Sequence, residues 1–386
     1  MTLPLLSLFL AGFAIATSSF VVAGLLPEIA LDLGVTVPTA GLLVTAYAFG
    51  VAIGGPLLSL FTSRFRRKPT ILALMAIFVA GQIFCALAPT YELILAARLV
   101  ISLSHGTFFG LAAILAVGMV PPDRRGMAIS LVFSGITVAT VLGVPGGTAI
   151  GHAFGWRMAF WCVAGIAVVA AGVMAVLLPA GTTPRAEGAN LTRQVQVLGR
   201  QQVWLSYAVI LLLMLGVWTS FTYISPLLRE TTRVGESLVP WFLLIFGVGS
   251  TIGLFVGGRL DRWSTSRTLI AGFAIQIVIY FCFALFVTSP VVVAILLFLM
   301  GFAGFVVNAP LQNRVLRGAA EAPDLASTLM SSMFNVGIAS GASVGAILLS
   351  RGYEYGNLLW VSAVMAIPAT LLVLIAAYLD AQPKTA

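Results

Sequence analysis

Twelve long apolar segments are the feature that most constrains this fold. Each has about the 20 apolar residues that a helix needs to cross the hydrocarbon core of a bilayer. Only 8% of the residues are charged, whereas a soluble domain carries about 25%. The sequence therefore predicts an all-α integral membrane protein. We place its twelve transmembrane helices at residues 4–26, 38–61, 69–89, 92–118, 127–150, 157–179, 203–228, 238–259, 267–288, 290–315, 324–350 and 355–380.

One long polar connection divides these helices six and six. It spans residues 180–202 and contains Gly, Pro and Arg, which is typical of a linker. We predict an N-terminal six-helix bundle over residues 1–179, a cytoplasmic linker over 180–202 and a C-terminal six-helix bundle over 203–386. The first ten residues have no basic stretch and no cleavage site, so we expect them to begin the first helix.

The basic residues are distributed asymmetrically between the two sides of the predicted membrane. Because loops rich in Lys and Arg stay in the cytoplasm, both termini and the linker are predicted to be cytoplasmic. This placement also accounts for the formal net charge of +8 without a nucleic-acid partner. The basic residues on the cytoplasmic side are Arg64, Arg66, Arg67, Lys68, Arg124, Arg125, Arg185, Arg193, Arg200, Arg259, Arg262, Arg267, Arg314 and Arg317.

Small residues recur at every fourth position of the fifth helix, where a stripe of this kind lets another helix approach closely in lipid. Pro145 interrupts the same helix, because it cannot donate to the carbonyl of Val141 and its ring crowds that turn. We predict a bent helix that forms a sliding contact between two moving halves. The stripe consists of Gly135, Ala139, Gly143, Gly147 and Gly151.

Helix character repeats with a period of three. Helices two, five, eight and eleven carry small residues, helices one, four, seven and ten carry polar ones, and the other four are almost wholly apolar. Repeated three-helix units are typical of transporters that have inverted repeats and a binding site near the bilayer midplane. The further small-residue stripes are Gly50 and Gly54, then Gly249, Gly253 and Gly257, then Gly337, Gly341 and Gly345.

Several motifs resemble those of the major facilitator superfamily (MFS), in its twelve-helix drug:proton antiporter branch. Gly-Val-Pro-Gly-Gly at 143–147 is similar to the antiporter motif of helix five, and Arg98 with 105–110 resembles the helix-four motif. Residues 23–30 and 325–335 resemble the end of helix one and helix eleven. That branch includes bacterial chloramphenicol exporters and sugar or purine efflux permeases. The resemblance implies two six-helix bundles with inverted 3+3 repeats, a bacterial cytoplasmic (inner) membrane location and export by proton antiport.

The sequence also departs from that family in two places. Ser63 stands where the first cytoplasmic loop motif has an Asp, and residues 17–20, Thr-Ser-Ser-Phe, lack the usual helix-one Glu. The second loop motif, Gly-Gly-Arg-Leu-Asp-Arg at 257–262, is better kept. The resemblance implies gating or conformational roles for Arg64, Gly143, Pro145, Gly147, Asp261 and Arg262.

Arg98 and His105 are the ionisable groups that the sequence places deep in a helix, because all twelve acids lie at helix ends or in loops. Their spacing puts both on one helix face, and buried ionisable groups in membranes are usually functional. Arg98 binds a cargo anion or dipole, pairs with a gating acid such as Glu28, or bonds helix carbonyls in a structural role. His105 is either a proton carrier or a neutral bridge between helices, and Glu28 is the second proton-coupling candidate.

Polar and aromatic side chains from helices one, four, seven and ten complete the predicted cavity. Without a buried acid, such a cavity suits a neutral or weakly anionic amphiphile, such as a drug, sugar or nucleoside, better than a lipophilic cation. The candidate substrate-binding residues are Ser19, Phe20, Arg98, Ser102, His105, Trp218, Thr222, Tyr223, Asn308 and Gln312.

We therefore expect a secondary active exporter that works as a monomer in the lipid bilayer, uses the proton gradient and binds no cofactor, metal or nucleic acid. The missing helix-one acid favours an alternative, a proton-independent facilitator or importer. We do not expect a membrane-embedded enzyme, because it would need paired carboxylates, a Ser/His dyad or metal ligands at depth, and the chain has no deep acid and only two histidines, His105 and His152. It has no Walker-type phosphate loop, so ATP is not expected to be the direct energy source. Its cysteines, Cys85, Cys162 and Cys282, lack metal-ligand spacing.

Overall fold

A computed structural model describes residues 3–62, 64–179, 199–319 and 321–381, without the side chains of 323, 324, 380 and 381. These ranges are helical and contain no strand, and the prediction of twelve helices long and apolar enough to cross a membrane is confirmed. They are α1 Leu3–Gly24, α2 Val37–Thr62, α3 Arg67–Leu87, α4 Tyr91–Gly118, α5 Arg125–Val138 with Ala139–Gly143 and Val144–Phe154, α6 Trp156–Leu177, α7 Gln201–Phe221, α8 Val239–Asp261, α9 Thr265–Leu285, α10 Pro290–Val306 with Asn308–Gly318, α11 Pro323–Ser350 and α12 Tyr355–Ala381.

Short helical pieces extend three of these helices at the end opposite the basic loops. The helix Leu26–Asp32 follows α1 and begins with a proline in its first turn, where the missing N–H costs nothing. Ile224–Pro226 and a π turn at Leu227–Thr231 continue α7, and a 3₁₀ turn at Glu236–Leu238 leads into α8. The predicted first helix, 4–26, ends within two residues of α1. The predicted seventh helix, 203–228, is wrong in being continuous, because the structure has a break after Phe221.

The described chain groups into two compact units. The first holds α1–α6 together with residues 235–244, which include the start of α8. The second holds α7, the rest of α8 and α9–α12. Most of the predicted linker, residues 180–198, lies outside the described residues, and so does Ser63.

In the first unit α1 packs against α5 and α6, α2 packs against α4, and α3 packs against α4 and α6. Its core is filled by aromatic and aliphatic side chains that are fully buried, among them Phe78, Phe108 and Phe160. In the second unit α7 packs against α11 and α12, and α9 packs against α10 and α12. Helices one and seven thus occupy the centre of their units, which is why their polar side chains are buried.

The small-residue stripes lie inside the units. A Cβ at Gly143 or Gly147 would run into Thr17 or Val21 of α1, so this face of α5 packs on α1. The prediction that the stripe forms the contact between two halves is wrong for these glycines. The reason is that a small-residue face permits close packing without specifying the partner. The other stripes behave in the same way, since α2 meets α4, α8 meets α10, and α11 meets α7.

The interruption predicted at Pro145 is present and has a defined form. The backbone widens into a π turn at Ala139–Gly143, where the N–H of Val144 bonds the carbonyl of Ala139. A wider turn accommodates the proline that follows, because Pro145 itself has no N–H to give. Helix α5 then continues to Phe154, four residues beyond its predicted end.

Candidate functional site

Arg98 on α4 is fully buried and bonds the backbone of α1. Its Nη1 donates to the carbonyl oxygen of Ser18 at 2.6 Å, and its Nη2 donates to the carbonyl oxygen of Ser19 at 3.4 Å. The guanidinium carbon lies 4.1 Å from the ring centroid of Tyr47 on α2, a cation–π contact. One of the roles predicted for Arg98 was to bond helix carbonyls, and the structure shows these bonds. The predicted pairing of Arg98 with Glu28 is not found.

A triangle of hydrogen bonds lies next to this arginine. The His105 Nδ1 is 3.0 Å from the Tyr47 hydroxyl and 3.1 Å from the Ser19 hydroxyl, and these two hydroxyls are 3.0 Å apart. Ser19 also donates to the carbonyl oxygen of Ile15 at 2.9 Å. Arg98 and His105 both contact Tyr47, so the prediction that they share one face of α4 is confirmed.

Tyr47 and Gln82 belong to this candidate site and are not among the residues predicted from the sequence. Gln82 of α3 is fully buried and donates from Nε2 to the Ser18 hydroxyl at 2.6 Å. Tyr47 lies within an apolar stretch of α2. It could have been identified from the rule that a buried tyrosine hydroxyl needs a hydrogen-bond partner. We call Ser18, Ser19, Tyr47, Gln82, Arg98 and His105 the polar network.

The polar network contains the permanent positive charge of Arg98 but no carboxylate. Among the described residues no Asp or Glu forms an ion pair with Arg98, and its Nε has no hydrogen-bond partner. The carbonyl oxygens of α1 and the face of Tyr47 supply the compensating negative potential. Within the described residues, neutral dipoles and an aromatic face therefore stabilise this guanidinium in place of an acid.

Aromatic rings line one side of His105. Its ring centroid is 5.5 Å from that of Phe109, which stacks on Phe133 of α5 at 5.4 Å. Whereas Arg98 is fully buried, His105 is only half-buried. His105 is therefore the accessible end of the polar network.

The first unit also contains four other predicted residues, Ser102, Phe20, Arg64 and Glu28. Ser102 is buried where α4 meets α2, and its hydroxyl donates to the carbonyl of Leu99 at 2.6 Å. Phe20 is half-buried on α1. Arg64 is exposed and its Nε donates to the carbonyl of Phe61 at 3.2 Å. Glu28 lies on the helix Leu26–Asp32, with one carboxylate oxygen 3.6 Å from the His152 Nε2.

The predicted residues on α7 and just after it are buried in the second unit. Thr222 donates to the carbonyl of Trp218 at 2.6 Å, and Tyr223 donates to the carbonyl of Ala342 at 3.0 Å. The Trp218 ring lies 5.4 Å from that of Phe221. The two hydroxyl groups thus bond backbone carbonyls, the tryptophan contacts an aromatic ring, and none of these side chains carries a charge.

The last predicted group lies on α10 and at the end of α8. Gln312 donates to the Asn308 side chain at 2.8 Å. Asp261 is buried and accepts hydrogen bonds from Thr265 at 2.7 Å and from Asn313 at 2.6 Å, whereas Arg262 is exposed. The Asp-Arg loop motif thus places an acid that joins α8, α9 and α10 at the basic-loop end of the unit.

Twelve membrane-spanning helices and two six-helix halves, the first with a buried charged network, define a class of secondary membrane transporter. The family model of the Major Facilitator Superfamily matches residues 8–323. The chain belongs to this family of transporters.

Relatives along almost the whole chain support this membership. The chain is 37% identical to the inner membrane transport protein YdhP of Escherichia coli K12, over 99% of this chain and 97% of that protein. It is 35% identical to a chloramphenicol resistance protein of Streptomyces lividans, over 96% and 95% of the two chains. It is 32% identical to a probable sugar efflux transporter of Helicobacter pylori G27, over 89% and 87%.

A solved structure shows the same fold. A bacterial homologue of the human lysosomal transporter Spinster, in an inward-facing and unoccupied conformation, superposes with a TM-score of 0.80 over 99% of this chain and 98% of that one. Its sequence identity is 16%, so this likeness concerns the fold alone.

Proposed function

We propose that this protein exports a small neutral or weakly anionic amphiphile in exchange for protons, by alternating access between its two six-helix halves. The observation that carries the proposal is the acid-free polar network around Arg98 and His105 in the first unit. The names of two relatives, a chloramphenicol resistance protein and a probable sugar efflux transporter, favour export of an uncharged polar cargo. The proposed location is the bacterial inner membrane, with both termini cytoplasmic and the chain acting as a monomer.

In this proposal His105 contacts the cargo and Arg98 sets the charge preference. His105 is the accessible member of the polar network and has an aromatic neighbour in Phe109. A phenicol, sugar or nucleoside offers both an apolar face and hydroxyl groups for such a surface. A lipophilic cation would instead meet the positive charge of Arg98, since the described part of the site contains no carboxylate to attract it.

His105 is also the proposed proton carrier. In its neutral form, Nδ1 accepts a hydrogen bond from the Tyr47 hydroxyl at 3.0 Å. In its protonated form, Nδ1 donates to the Ser19 hydroxyl, whose own proton is directed to the carbonyl of Ile15. The two hydroxyl groups can rotate, so the polar network accommodates both protonation states without moving a helix.

Transport by purified protein in liposomes tests the coupling. We expect cargo uptake into vesicles to follow an imposed pH gradient, to stop with a protonophore, and to lose this dependence in H105Q while counterflow exchange continues. Unchanged proton coupling in H105Q would contradict the assignment of His105 and would leave Glu28 as the carrier.

Thermal stabilisation of the purified protein tests the cargo class. We expect phenicols, sugars or nucleosides to raise the melting temperature in a saturable way, because a ligand that binds only the folded state stabilises it. Lipophilic cations should give no shift. Stabilisation by cations alone would contradict the charge argument.

A second candidate function is a proton-independent facilitator or importer of the same fold. The observation in its favour is that residues 17–20 contain no carboxylate, so α1 offers no acidic proton carrier. The liposome experiment separates the two, because a facilitator equilibrates cargo at the same rate with and without the protonophore.

A further inference from the structure

Three side chains that can ligate a metal meet at the end of the first unit opposite its basic loops. Glu28 lies on the helix Leu26–Asp32, His152 lies in the last turn of α5, and Glu236 begins the 3₁₀ turn before α8. One ligand atom from each residue lies within 4.8 Å of the other two. No metal site was expected from the sequence, in which these three positions are far apart.

Close helix packing brings the three residues together. Gly151 lies so near Leu25 that an added Cβ would run into the leucine side chain. His152 directly follows this glycine, and Glu28 is three residues beyond this leucine, so the same contact positions both side chains. The start of α8 reaches the same end of the unit, where Leu243 packs against the last turn of α1.

His152 gives a second, independent indication of a ligand. Its side chain is only 8% exposed, and its Nε2 points toward Glu28 at 3.6 Å from a carboxylate oxygen. Within the described part of the chain neither ring nitrogen has a hydrogen-bond partner. A buried imidazole with both nitrogens unbonded costs free energy, and coordination of a metal through Nε2 would remove much of that cost.

We propose that Glu28, His152 and Glu236 bind a divalent transition-metal ion, with Zn²⁺ as the best fit. Zn²⁺ takes imidazole nitrogen and carboxylate oxygen as ligands, and sites with three protein ligands keep water in the fourth position. Glu236 is exposed, so its side leaves room for that water and for entry of the ion. The imidazole disfavours Mg²⁺ and Ca²⁺, which prefer oxygen ligands alone. The ion would also offset the mutual repulsion of the two carboxylates.

Metal binding would join three separate segments, the helix Leu26–Asp32, the end of α5 and the start of α8. It should therefore stabilise the folded protein, whether or not the proposed transport function is correct. The site is built from residues outside the polar network, so its test does not depend on cargo or on proton coupling.

The test uses the full chain, purified without a polyhistidine tag and treated with a chelator. Titration with Zn²⁺ in a calorimeter should show one saturable site, with a matching rise in melting temperature. Co²⁺ bound at the same site should give the visible absorption of a four-coordinate ion. Mg²⁺ should give neither the heat nor the thermal shift.

Variants identify the ligands. H152Q, E28Q and E236Q should each weaken Zn²⁺ binding by more than about tenfold, because even second-shell changes cost roughly 10–100-fold in metal affinity. E92Q, which removes an exposed carboxylate at the same end of the unit, should bind as the wild type does. H152C should regain binding with a preference for Cd²⁺, since a thiolate favours softer ions.

Absence of saturable Zn²⁺ binding in the wild type would overturn the proposal. Unchanged Zn²⁺ affinity in H152Q would also overturn it, because the ion would then be bound by surface carboxylates and not by His152. If H152Q fails to fold, H152C supplies the decisive result, and a folded H152C that binds neither Zn²⁺ nor Cd²⁺ excludes the site.

Discussion

The two units share an arrangement of helices but differ in the chemistry of their interiors. In the first unit, side chains from four helices bond one another around a buried charge, as in the Arg98–Tyr47 and Tyr47–His105 contacts. In the second unit, buried hydroxyls bond mostly backbone carbonyls, and one side-chain contact, Ser362 to Ser220 at 3.1 Å, links α12 to α7. The difference places a charged network around α1 in the first unit and neutral contacts around α7 in the second, where the buried acid Asp261 lies apart at the basic-loop end.

The largest effect should come from Arg98. R98K keeps the charge but loses the planar fork that bonds the carbonyls of Ser18 and Ser19. Hydrogen bonds to charged groups contribute about 1.5–3 kcal/mol each, so cargo transport in liposomes should fall at least tenfold. The matched change in the second unit, S362A, removes a neutral link and should change transport by only a few-fold. Equal losses of transport in the two variants would contradict the view that the charged network of the first unit matters more for transport than the neutral contact in the second.

The next effect concerns how the small-residue stripes pack. In the second unit Gly253 faces the backbone carbonyl of Phe302, which cannot move without shifting a helix. In the first unit Gly151 faces the side chain of Leu25, which can rotate. G253A should therefore destabilise the protein by about 1–3 kcal/mol, and G151A by less. Melting curves in detergent measure both, and a larger loss in G151A would contradict this reasoning.

These stripes show how far the sequence predicts the fold. Hydropathy and small-residue spacing are local properties, so the twelve helices and their smooth faces could be predicted. The partner of each face could not, because a glycine such as Gly147 accepts any neighbour that fits, here Val21 of α1. Pro145 likewise predicted an interruption, whereas its form as a π turn depends on the packing around Ala139–Gly143.

Three members of the polar network, Arg98, His105 and Ser19, could be predicted from the sequence, whereas Tyr47 and Gln82 could not. Arg98 and His105 stand out because ionisable groups deep in a helix are rare. Tyr47 escapes such reasoning, since one tyrosine in an apolar helix is equally compatible with a membrane interface or a lipid-facing position. The cluster of Glu28, His152 and Glu236 was missed because only the folded chain brings these residues together.

A third, smaller effect compares two buried tyrosines. Y47F removes the hydroxyl that joins Ser19 to His105 but keeps the ring beneath Arg98. It should destabilise the protein by about 1 kcal/mol and alter the pH dependence of transport. Y280F in the second unit removes a buried hydroxyl that has no hydrogen-bond partner among the described residues, so stability should be unchanged or improved. If Y280F costs as much as Y47F, the hydrogen bonds of the polar network contribute nothing specific.

The smallest effect lies at the surface of the first unit. Arg157 bonds the Asp32 carboxylate and holds the pKa of Asp32 below its ordinary value of 3.8. A lowered pKa means that the ion pair stabilises the folded state above pH 4 and that this contribution disappears as the pH falls through the lowered pKa. D32N should therefore melt below the wild type at neutral pH, by the equivalent of less than about 1 kcal/mol because the pair is exposed, and the difference should vanish in acid. E92Q removes an exposed acid with no ion pair among the described residues, so it should show no such convergence. A D32N difference that persists unchanged at low pH would contradict the ion-pair argument, because an asparagine side chain can still accept the hydrogen bond from Trp156.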